Sequence, residues 1–264
     1  MGKNLKLMST DISNGYVLTE VNDDGLATIE FFHPSSNSLP GAILQKLADE
    51  ITAAAAEERV KVIILKSGGD RAFCAGASFD ELIAIETKEQ GLKFFSGFAK
   101  VINAMRKSEK LIIVRVQGKA VGGGVGIIAA ADYAIAVEGA SAKLSELAVG
   151  IGPFVVGPAV ERKMGTSAFS ALAIDATEFR NAHFCKDHGL YSEVYGTVEE
   201  VDDAVHRLSA KLVKSSPEAM LELKRIFWEG TENWDKLLMD RAAISGRLVL
   251  SEFTRNAINK FKAK

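Results

Sequence analysis

The stretch Gln117-Gly118-Lys119-Ala120-Val121-Gly122-Gly123-Gly124-Val125-Gly126 carries most of the information about the fold. It follows an apolar run, Leu111 to Val116, that is typical of a buried strand, and it leads into an apolar helix ending near Ala131. Three consecutive glycines at a helix start leave backbone N–H groups open to a ligand, at the end where the helix dipole is positive. The segment therefore predicts a strand–turn–helix unit that can bind an electronegative atom.

The same glycines also match a dinucleotide-binding fingerprint. Residues 124–129 fit G-x-G-x-x-A, and Glu146 stands twenty residues after Gly126, where a ribose-binding acid is expected. That fingerprint should follow its strand directly, however, and Gly124 is eight residues beyond Val116. The acid should also end the next strand, which stops near Val137. The context therefore disfavours a dinucleotide site.

Strand-like and helix-like stretches alternate on both sides of this segment. Asn22-Asp23-Asp24-Gly25 separates two β-like runs and predicts a hairpin, because glycine accepts the positive φ of a tight turn. The remaining patterns predict helices and buried strands in alternation: helices over 43–51 and 88–107, strands over 62–65, 111–116 and 133–137. Repeated alternation favours an α/β core with parallel pairing, which we assign to residues 1–200.

The last part of the chain, residues 201–264, shows helical patterns only. Val201 to Val213 has helical periodicity, and Ser216-Pro217-Glu218 opens a second helix with a serine cap and proline in the first turn. Thr231 is the predicted cap of a third helix. We therefore expect an α/β core followed by a helical C-terminal region.

Composition narrows the classes of function. The 264 residues carry a net charge of -2, with 47% hydrophobic and 25% charged residues, so nothing attracts the chain to nucleic acid or an anionic membrane. Neither a secretory signal nor an apolar run long enough to cross a membrane is visible. The two cysteines, Cys74 and Cys185, are expected to be reduced thiols, which suits a cytoplasmic protein. The four histidines form no metal-ligand pattern, so no metal is expected.

Two further segments could carry chemistry, and each also has a purely structural interpretation. Residues 71–80 gather small residues between a strand and a helix beginning near Phe79, which is either a plain turn or a place for a ligand against the backbone. Cys74 in that segment is more typical of a small buried residue than of a nucleophile. Glu146 lies in an apolar run before a Gly-Pro corner; it is either a partly exposed helix-start residue or a carboxylate whose pKa burial raises.

Together the three segments resemble the crotonase (enoyl-CoA hydratase/isomerase) superfamily. The resemblance is carried by Phe73-Cys74-Ala75-Gly76-Ala77, by residues 118–124, by Asp132 and by Ser145-Glu146 before Gly150-Ile151. It implies a spiral of ββα units, C-terminal helices that build trimers or hexamers, and an acyl-CoA thioester as substrate, with no cofactor beyond the CoA of the substrate.

The resemblance also implies roles for individual residues. Glu146 would be the catalytic acid/base, and the backbone N–H groups of Ala77 and Gly123 would form an oxyanion hole for the thioester oxygen. Five more residues would contact substrate: Ala75, Gly76, Gly122, Gly126 and Phe154. Phe95 and Phe98, on the helix over 88–107, could line an acyl pocket or belong to the core.

One departure from the family pattern bears on the reaction. Hydratases of the family use a second glutamate two residues after the glycine triple, and here that position is Gly126. A double-bond shift needs only one acid/base, so the sequence favours an enoyl-CoA isomerase-like enzyme acting through Glu146. The alternatives are a hydratase, possibly branched-chain and methylglutaconyl-CoA-like, in which Glu81 or Glu86 supplies the second acid, and a weakened homologue that only binds acyl-CoA. The sequence alone does not explain why Ser78 replaces the family's aspartate.

Overall fold

A computed structural model of the chain describes residues 12–262. It has an α/β core and a helical C-terminal region, as the sequence predicts. The strands are β1 (Tyr16–Val21), β2 (Leu26–Phe32), β3 (Ser38–Leu39), β4 (Val62–Ser67), β5 (Ala72–Cys74), β6 (Gly76–Ala77), β7 (Leu111–Val116), β8 (Lys119–Val121), β9 (Tyr133–Val137), β10 (Ser141–Lys143), β11 (Arg180–Asn181) and β12 (Glu193–Tyr195). The helices are α1 (Gly41–Ala56), α2 (Phe79–Ile83), α3 (Lys88–Lys107), α4 (Gly123–Ala129), α5 (Gly157–Ile174), α6 (Ala182–Asp187), α7 (Val198–Leu212), α8 (Pro217–Phe227), α9 (Trp234–Leu248) and α10 (Glu252–Lys262).

The larger sheet has six strands in the order β1-β2-β4-β7-β9-β12. The β1–β2 pair is the antiparallel hairpin predicted at residues 22–25, and every other pair in this sheet is parallel. β4 and β7 are almost entirely buried, because helices cover the sheet, and this explains their unbroken apolar sequences.

A second sheet has four strands in the order β11-β10-β8-β5, and β3 pairs with β6 beside it. β5, β8 and β10 run parallel, so the segments that follow them leave the sheet at one edge. Those segments are the three that the sequence analysis singled out. β8 also stands between β7 and the glycines, which is not the direct strand-to-glycine connection of a dinucleotide site.

The C-terminal helices share one hydrophobic core with the α/β part. Val201 and Ala204 of α7 and Leu238 and Ala242 of α9 are buried in the same cluster as the strands of the larger sheet. α8 begins as predicted, with Ser216 accepting from Ala219 N at 3.3 Å. The prediction that Thr231 caps the next helix is wrong: the cap position of α9 is Asn233, and the Thr231 hydroxyl donates to Trp228 O instead. None of the helices described over residues 12–262 is long and apolar enough to span a bilayer.

A buried ion pair attaches α8 to the core. Asp132 Oδ2 accepts from Lys224 Nζ at 2.6 Å and from Ile112 N at 2.7 Å. Both charged side chains are almost fully excluded from water. Asp132, one of the residues that carry the family resemblance, is therefore a structural residue that joins β7, the start of β9 and α8.

We expect Lys224→Ala to be strongly destabilising, because it leaves the Asp132 carboxylate buried without its cation. Breaking a buried pair in this way costs about 3–5 kcal/mol in the free energy of unfolding. Urea denaturation of the variant measures this loss. Lys211→Ala, on the exposed side of α7, is the matched control and should change the free energy by no more than about 0.5 kcal/mol. Equal effects of the two changes would contradict a structural role for the pair.

Candidate active site

The three segments that leave the second sheet enclose a cavity of about 590 Å³. α3 and α9 close it from the other side, and most of its lining is apolar. The residues that line it are Ser38, Ala75, Gly76, Ala77, Phe79, Leu82, Phe94, Phe95, Phe98, Val121, Gly122, Gly123, Lys143, Ser145, Glu146, Ala148, Val149, Ile151, Gly152, Pro153, Phe154, Val155, Val156, Ala176, Thr177 and Ser245. A concave, mainly apolar site with few polar groups is typical of a small-molecule site.

The first wall is the β5–β6–α2 segment. Ala75 to Ala77 passes along the cavity, and its small side chains let a ligand approach the backbone. Ser78 then caps α2, its hydroxyl oxygen accepting from Glu81 N at 3.3 Å. This explains the serine that the sequence analysis left unexplained: it starts the helix directly after the exposed backbone.

The second wall is the glycine triple. Gly122 has φ +52 and donates its N–H to Lys143 O at 2.8 Å, which joins this turn to β10. Gly123 is the first residue of α4, so no carbonyl of the helix lies behind its N–H to accept from it. A Cβ on Gly123 would lie 2.2 Å from the Phe98 ring, so only glycine fits under that side chain. The free N–H of Gly123 therefore sits at the positive end of a short helix in the cavity wall.

The third wall carries Glu146, the first residue of a 3₁₀ helix, Glu146–Val149, that follows β10. Its Oε1 lies 2.9 Å from where a Cβ on Gly122 would be, so the carboxyl group lies against the glycine turn. Oε2 is fully buried and accepts no hydrogen bond within the described part of the chain, although the residue as a whole is half-buried because it faces the cavity. Desolvation raises the pKa of Glu146 to about 7, against a smaller lowering by its own backbone N–H. The side chain is thus able to exchange a proton near neutral pH.

This raised pKa predicts a pH-dependent gain in stability for Glu146→Gln. The folded protein holds the Glu146 proton up to about pH 7, whereas the unfolded chain loses it near pH 4.5. Stability from this group is therefore present below pH 4.5, falls as pH rises to about 7, and stays low above that value. Between pH 5 and pH 8 the penalty grows by on the order of 2–3 kcal/mol, since one pKa unit corresponds to about 1.4 kcal/mol and part of the shift lies below pH 5. Urea denaturation at pH 5 and pH 8 should show the variant gaining on the wild type as pH rises; a constant difference would contradict the buried, ionisable carboxyl.

The C-terminal helix holds the segment that carries Glu146. Gly150, at φ +81, ends the 3₁₀ helix, and a Cβ on it would lie 2.5 Å from the Phe253 ring and 2.7 Å from Thr254 Oγ1. Thr254 is completely buried, and Ile258 packs with Ile151 in a second hydrophobic cluster. α10, which the sequence analysis did not predict, therefore covers the back of the catalytic candidate.

The structure brings together nearly all of the predicted site residues. Those that line the cavity are Ala75, Gly76, Ala77, Gly122, Gly123, Glu146 and Phe154, together with the two uncertain phenylalanines, Phe95 and Phe98. Gly126 does not line it: a Cβ there would lie 2.5 Å from Val156 Cγ1 and 3.4 Å from Ile102 Cδ1. The expectation that Gly126 contacts substrate is therefore corrected, because Val156 covers this glycine and faces the cavity in its place.

The rival chemical groups lie outside the cavity. Glu81 Oε2 accepts from Gly41 N at 2.9 Å at the start of α1, and Glu86 is exposed; neither lines the cavity. Burial raises the pKa of the Cys74 thiol to about 12, which keeps it protonated and unsuited to act as a nucleophile. Within residues 12–262, no cluster of three or more His, Cys, Asp or Glu side chains is arranged to hold a metal ion.

Several lining residues were not identified from the sequence. The sequence does not mark Val156 as a site residue, because two consecutive valines are typical of a hydrophobic core anywhere in a chain. Ser245 lies in the last turn of α9 beside Gly246, where α9 approaches the backbone of α3 at Gly91 closely. Lys143 ends β10, and Thr177 lies in the turn between α5 and β11; the pairing of β11 with β10 brings the two segments together.

The profile of the enoyl-CoA hydratase/isomerase family matches residues 22–255. The chain belongs to this family. This confirms the crotonase resemblance and makes the chain a member of a family of enzymes that act on acyl-CoA thioesters. One relative is a probable enoyl-CoA hydratase of Bacillus subtilis, 27% identical over 92% of this chain and 94% of the relative.

Other relatives carry different activities in their names. A peroxisomal Delta(3,5)-Delta(2,4)-dienoyl-CoA isomerase of Arabidopsis thaliana is 28% identical over 66% of each chain. A mitochondrial methylglutaconyl-CoA hydratase of Mus musculus is 29% identical over 74% of this chain and 63% of its own. The crystal structure of an enoyl-CoA hydratase from Bacillus halodurans has a TM-score of 0.85 at 19% identity, over 93% of this chain and 99% of that one. That likeness shows the crotonase fold and confirms the predicted fold class.

Proposed function

We propose that this enzyme moves the double bond of an enoyl-CoA thioester, with Glu146 as the only acid/base. Glu146 removes a proton from C2 of a 3-enoyl-CoA, and the negative charge spreads onto the thioester oxygen and C4. The N–H groups of Ala77 and Gly123 hold that oxygen. The protonated Glu146 then returns the proton to C4, which leaves the double bond between C2 and C3 and regenerates the carboxylate.

The observation that carries the proposal is the single carboxylate in the cavity. Among the described residues, the only charged side chains that line the cavity are Glu146 and Lys143. The position where the resemblance places the second glutamate of hydratases is Gly126, which Val156 covers. Water addition needs a group to activate water and a group to protonate the α-carbon, whereas a proton shuttle needs one group. The cavity fits the proton shuttle.

The proposal is tested by following two substrates in one spectrophotometric assay. With 3-enoyl-CoA, we expect formation of the conjugated 2-enoyl thioester at a rate proportional to enzyme concentration. With 2-enoyl-CoA as the starting substrate, we expect only slow loss of this conjugated thioester through hydration. Fast hydration of 2-enoyl-CoA without migration of a double bond would overturn the proposal.

A hydratase is the second candidate, because the names of several relatives support it. The relatives from Bacillus subtilis and Mus musculus are both named hydratases. In a hydratase, Glu146 would have to serve both the water and the α-carbon. An acyl-CoA-binding homologue without turnover is the third candidate, and calorimetric titration with acyl-CoA beside the turnover assay separates it from both enzymes.

The remaining expectations extend this proposal. The proposed reaction is redox-neutral and uses no cofactor beyond the CoA of the substrate. The resemblance implies a homotrimer or a dimer of trimers, which sedimentation analysis of the purified chain measures directly. A cytoplasmic location, with Cys74 and Cys185 as reduced thiols, suits the two free cysteines of the structure. No nucleic acid or membrane partner is part of the proposal.

A further inference from the structure

Two lysines, of which Lys143 lines the cavity, converge on a single aromatic ring beside it. Lys143 lines the cavity, and its Nζ lies 4.3 Å from the centre of the Phe179 ring. Lys119 Nζ lies 5.0 Å from the same centre. The two ammonium groups are therefore within about 9 Å of each other; Lys119 is exposed and Lys143 is half-buried.

Neither of these lysines has a carboxylate partner within the described residues. The ion pairs that the structure shows lie elsewhere, and the neighbouring Glu178 makes its contact with Thr177 Oγ1 at 3.5 Å. Two like charges beside one ring repel each other, and the ring contributes only a modest attraction to each. An anion placed between them would relieve this repulsion, which is the reason to look for one in the substrate.

The order of the strands shows which part of the substrate reaches the lysines. In the sheet β5-β8-β10-β11, the edge carries Ala77 after β5, Gly123 after β8 and Glu146 after β10. Phe179 precedes β11 and continues the register that pairs Ala142 with Arg180, so it lies level with Lys143. Neighbouring strands are about 4.8 Å apart, so these groups follow one another across the edge.

This order gives the thioester a direction. Its oxygen lies between Ala77 and Gly123 in the proposed reaction, and Glu146 has to face the acyl carbons rather than the sulfur. The acyl chain therefore extends from the oxyanion hole past Glu146 toward β11. Lys143, on β10, and Phe179, beside β11, lie on that side, whereas Ser38 lines the cavity from β3, which pairs with β6.

We propose that Lys143, on the strand that precedes Glu146, and Lys119, on the neighbouring strand β8, bind a carboxylate at the far end of the acyl chain. The inference rests on the proposed function, because that function fixes the direction in which the acyl chain extends. It makes the preferred substrate an acyl-CoA derived from a dicarboxylic acid, and Lys143 a residue that determines specificity. A phosphate of the CoA part is the competing source of negative charge, and the test below separates the two.

The test compares binding of two saturated thioesters, adipoyl-CoA and hexanoyl-CoA, which differ in the terminal carboxylate and cannot undergo the reaction. The wild type should bind adipoyl-CoA roughly tenfold more tightly or better, because a hydrogen bond to a charged group is strong. Lys143→Gln should remove most of that preference, and Lys119→Gln part of it, while hexanoyl-CoA binding stays within about twofold. Lys211→Gln, which removes an exposed lysine of α7, should leave both affinities unchanged.

The outcomes distinguish this inference from the proposed function. Equal weakening of both thioesters by Lys143→Gln would show that the lysine contacts the CoA part, and it would overturn the inference. Equal wild-type affinities for the two thioesters would overturn it as well. Because neither ligand reacts, a preference for adipoyl-CoA would stand even if the turnover assay showed hydration instead of isomerisation. Lys119→Gln changes an exposed side chain at the start of β8, so it remains informative if Lys143→Gln folds poorly.

Discussion

Replacing Glu146 with glutamine lowers kcat/KM for 3-enoyl-CoA by about 10² to 10⁴-fold, the range expected for loss of a positioned acid/base. The amide has nearly the shape of the carboxyl group but cannot take a proton from C2 or return one to C4. Steady-state kinetics measures the loss, and the affinity for a saturated acyl-CoA reports whether the cavity is intact. The wild-type kcat/KM should rise with pH around 7, because the reaction starts from the ionised carboxylate and the pKa of Glu146 is about 7.

The matched control for this variant is Glu86→Gln. Glu86 is close in the chain to Leu82, which lines the cavity, but Glu86 itself is exposed and does not line it. Its replacement should therefore leave kcat/KM within about twofold, as for a surface substitution. If Glu146→Gln keeps most of the activity, a single-base mechanism is untenable. A comparable loss of activity in Glu86→Gln would contradict the assignment of Glu146 as the only acid/base.

The sequence predicts much of this site because local rules govern its parts. Local backbone requirements account for the small residues after a strand and for the glycines at a helix start. The three segments meet because parallel strands end at one edge of the sheet. α3 runs over the predicted residues, with the capping box of Thr87 and Gln90 at its start. Even Ser78 was open to the same reasoning, since Ser-x-x-Glu before an apolar run is a known start signal for a helix.

The rest of the site depends on contacts between segments that are distant in the chain. That Val156 covers Gly126 follows from how α5 packs on α4, and neither segment encodes this distance by itself. Lys119 and Phe179 meet only through the register of β8, β10 and β11. α10 reaches Gly150 across a hundred residues of sequence, so its part in holding Glu146 could not be predicted from a local pattern.

The contact between Val156 and Gly126 predicts that hydratase activity requires two changes rather than one. In Gly126→Glu alone, the new Cβ meets Val156 Cγ1 at 2.5 Å and Cβ at 2.8 Å, and the carboxylate is buried beside apolar groups. Overpacking costs about 1–3 kcal/mol, and the unpaired charge adds to it. We expect this variant to be destabilised in urea and to hydrate 2-enoyl-CoA no faster than the wild type.

Gly126→Glu combined with Val156→Gly removes the obstructing side chain and opens the cavity to the new carboxylate. Two carboxylates can then divide the work, with one activating water and the other protonating the α-carbon. We expect the double variant to regain stability relative to Gly126→Glu. It should also hydrate 2-enoyl-CoA at least about tenfold faster than the wild type. A fully positioned acid/base group contributes about 10² or more, and the new carboxylate is expected to supply part of that. Loss of the conjugated thioester absorbance measures the rate.

Val156→Gly alone is the control that gives this experiment its meaning. It opens the same space without adding a carboxylate, so it should lower stability by creating a cavity and leave hydration at the wild-type rate. Hydration by Val156→Gly would mean that Glu146 activates water by itself once water has room, so that volume rather than the missing acid restrains the wild type. Hydration by Gly126→Glu alone would mean that Val156 can move aside. The lack of a second carboxylate at residue 126 would then be the only obstacle to hydration, and the contact with Val156 would not be one.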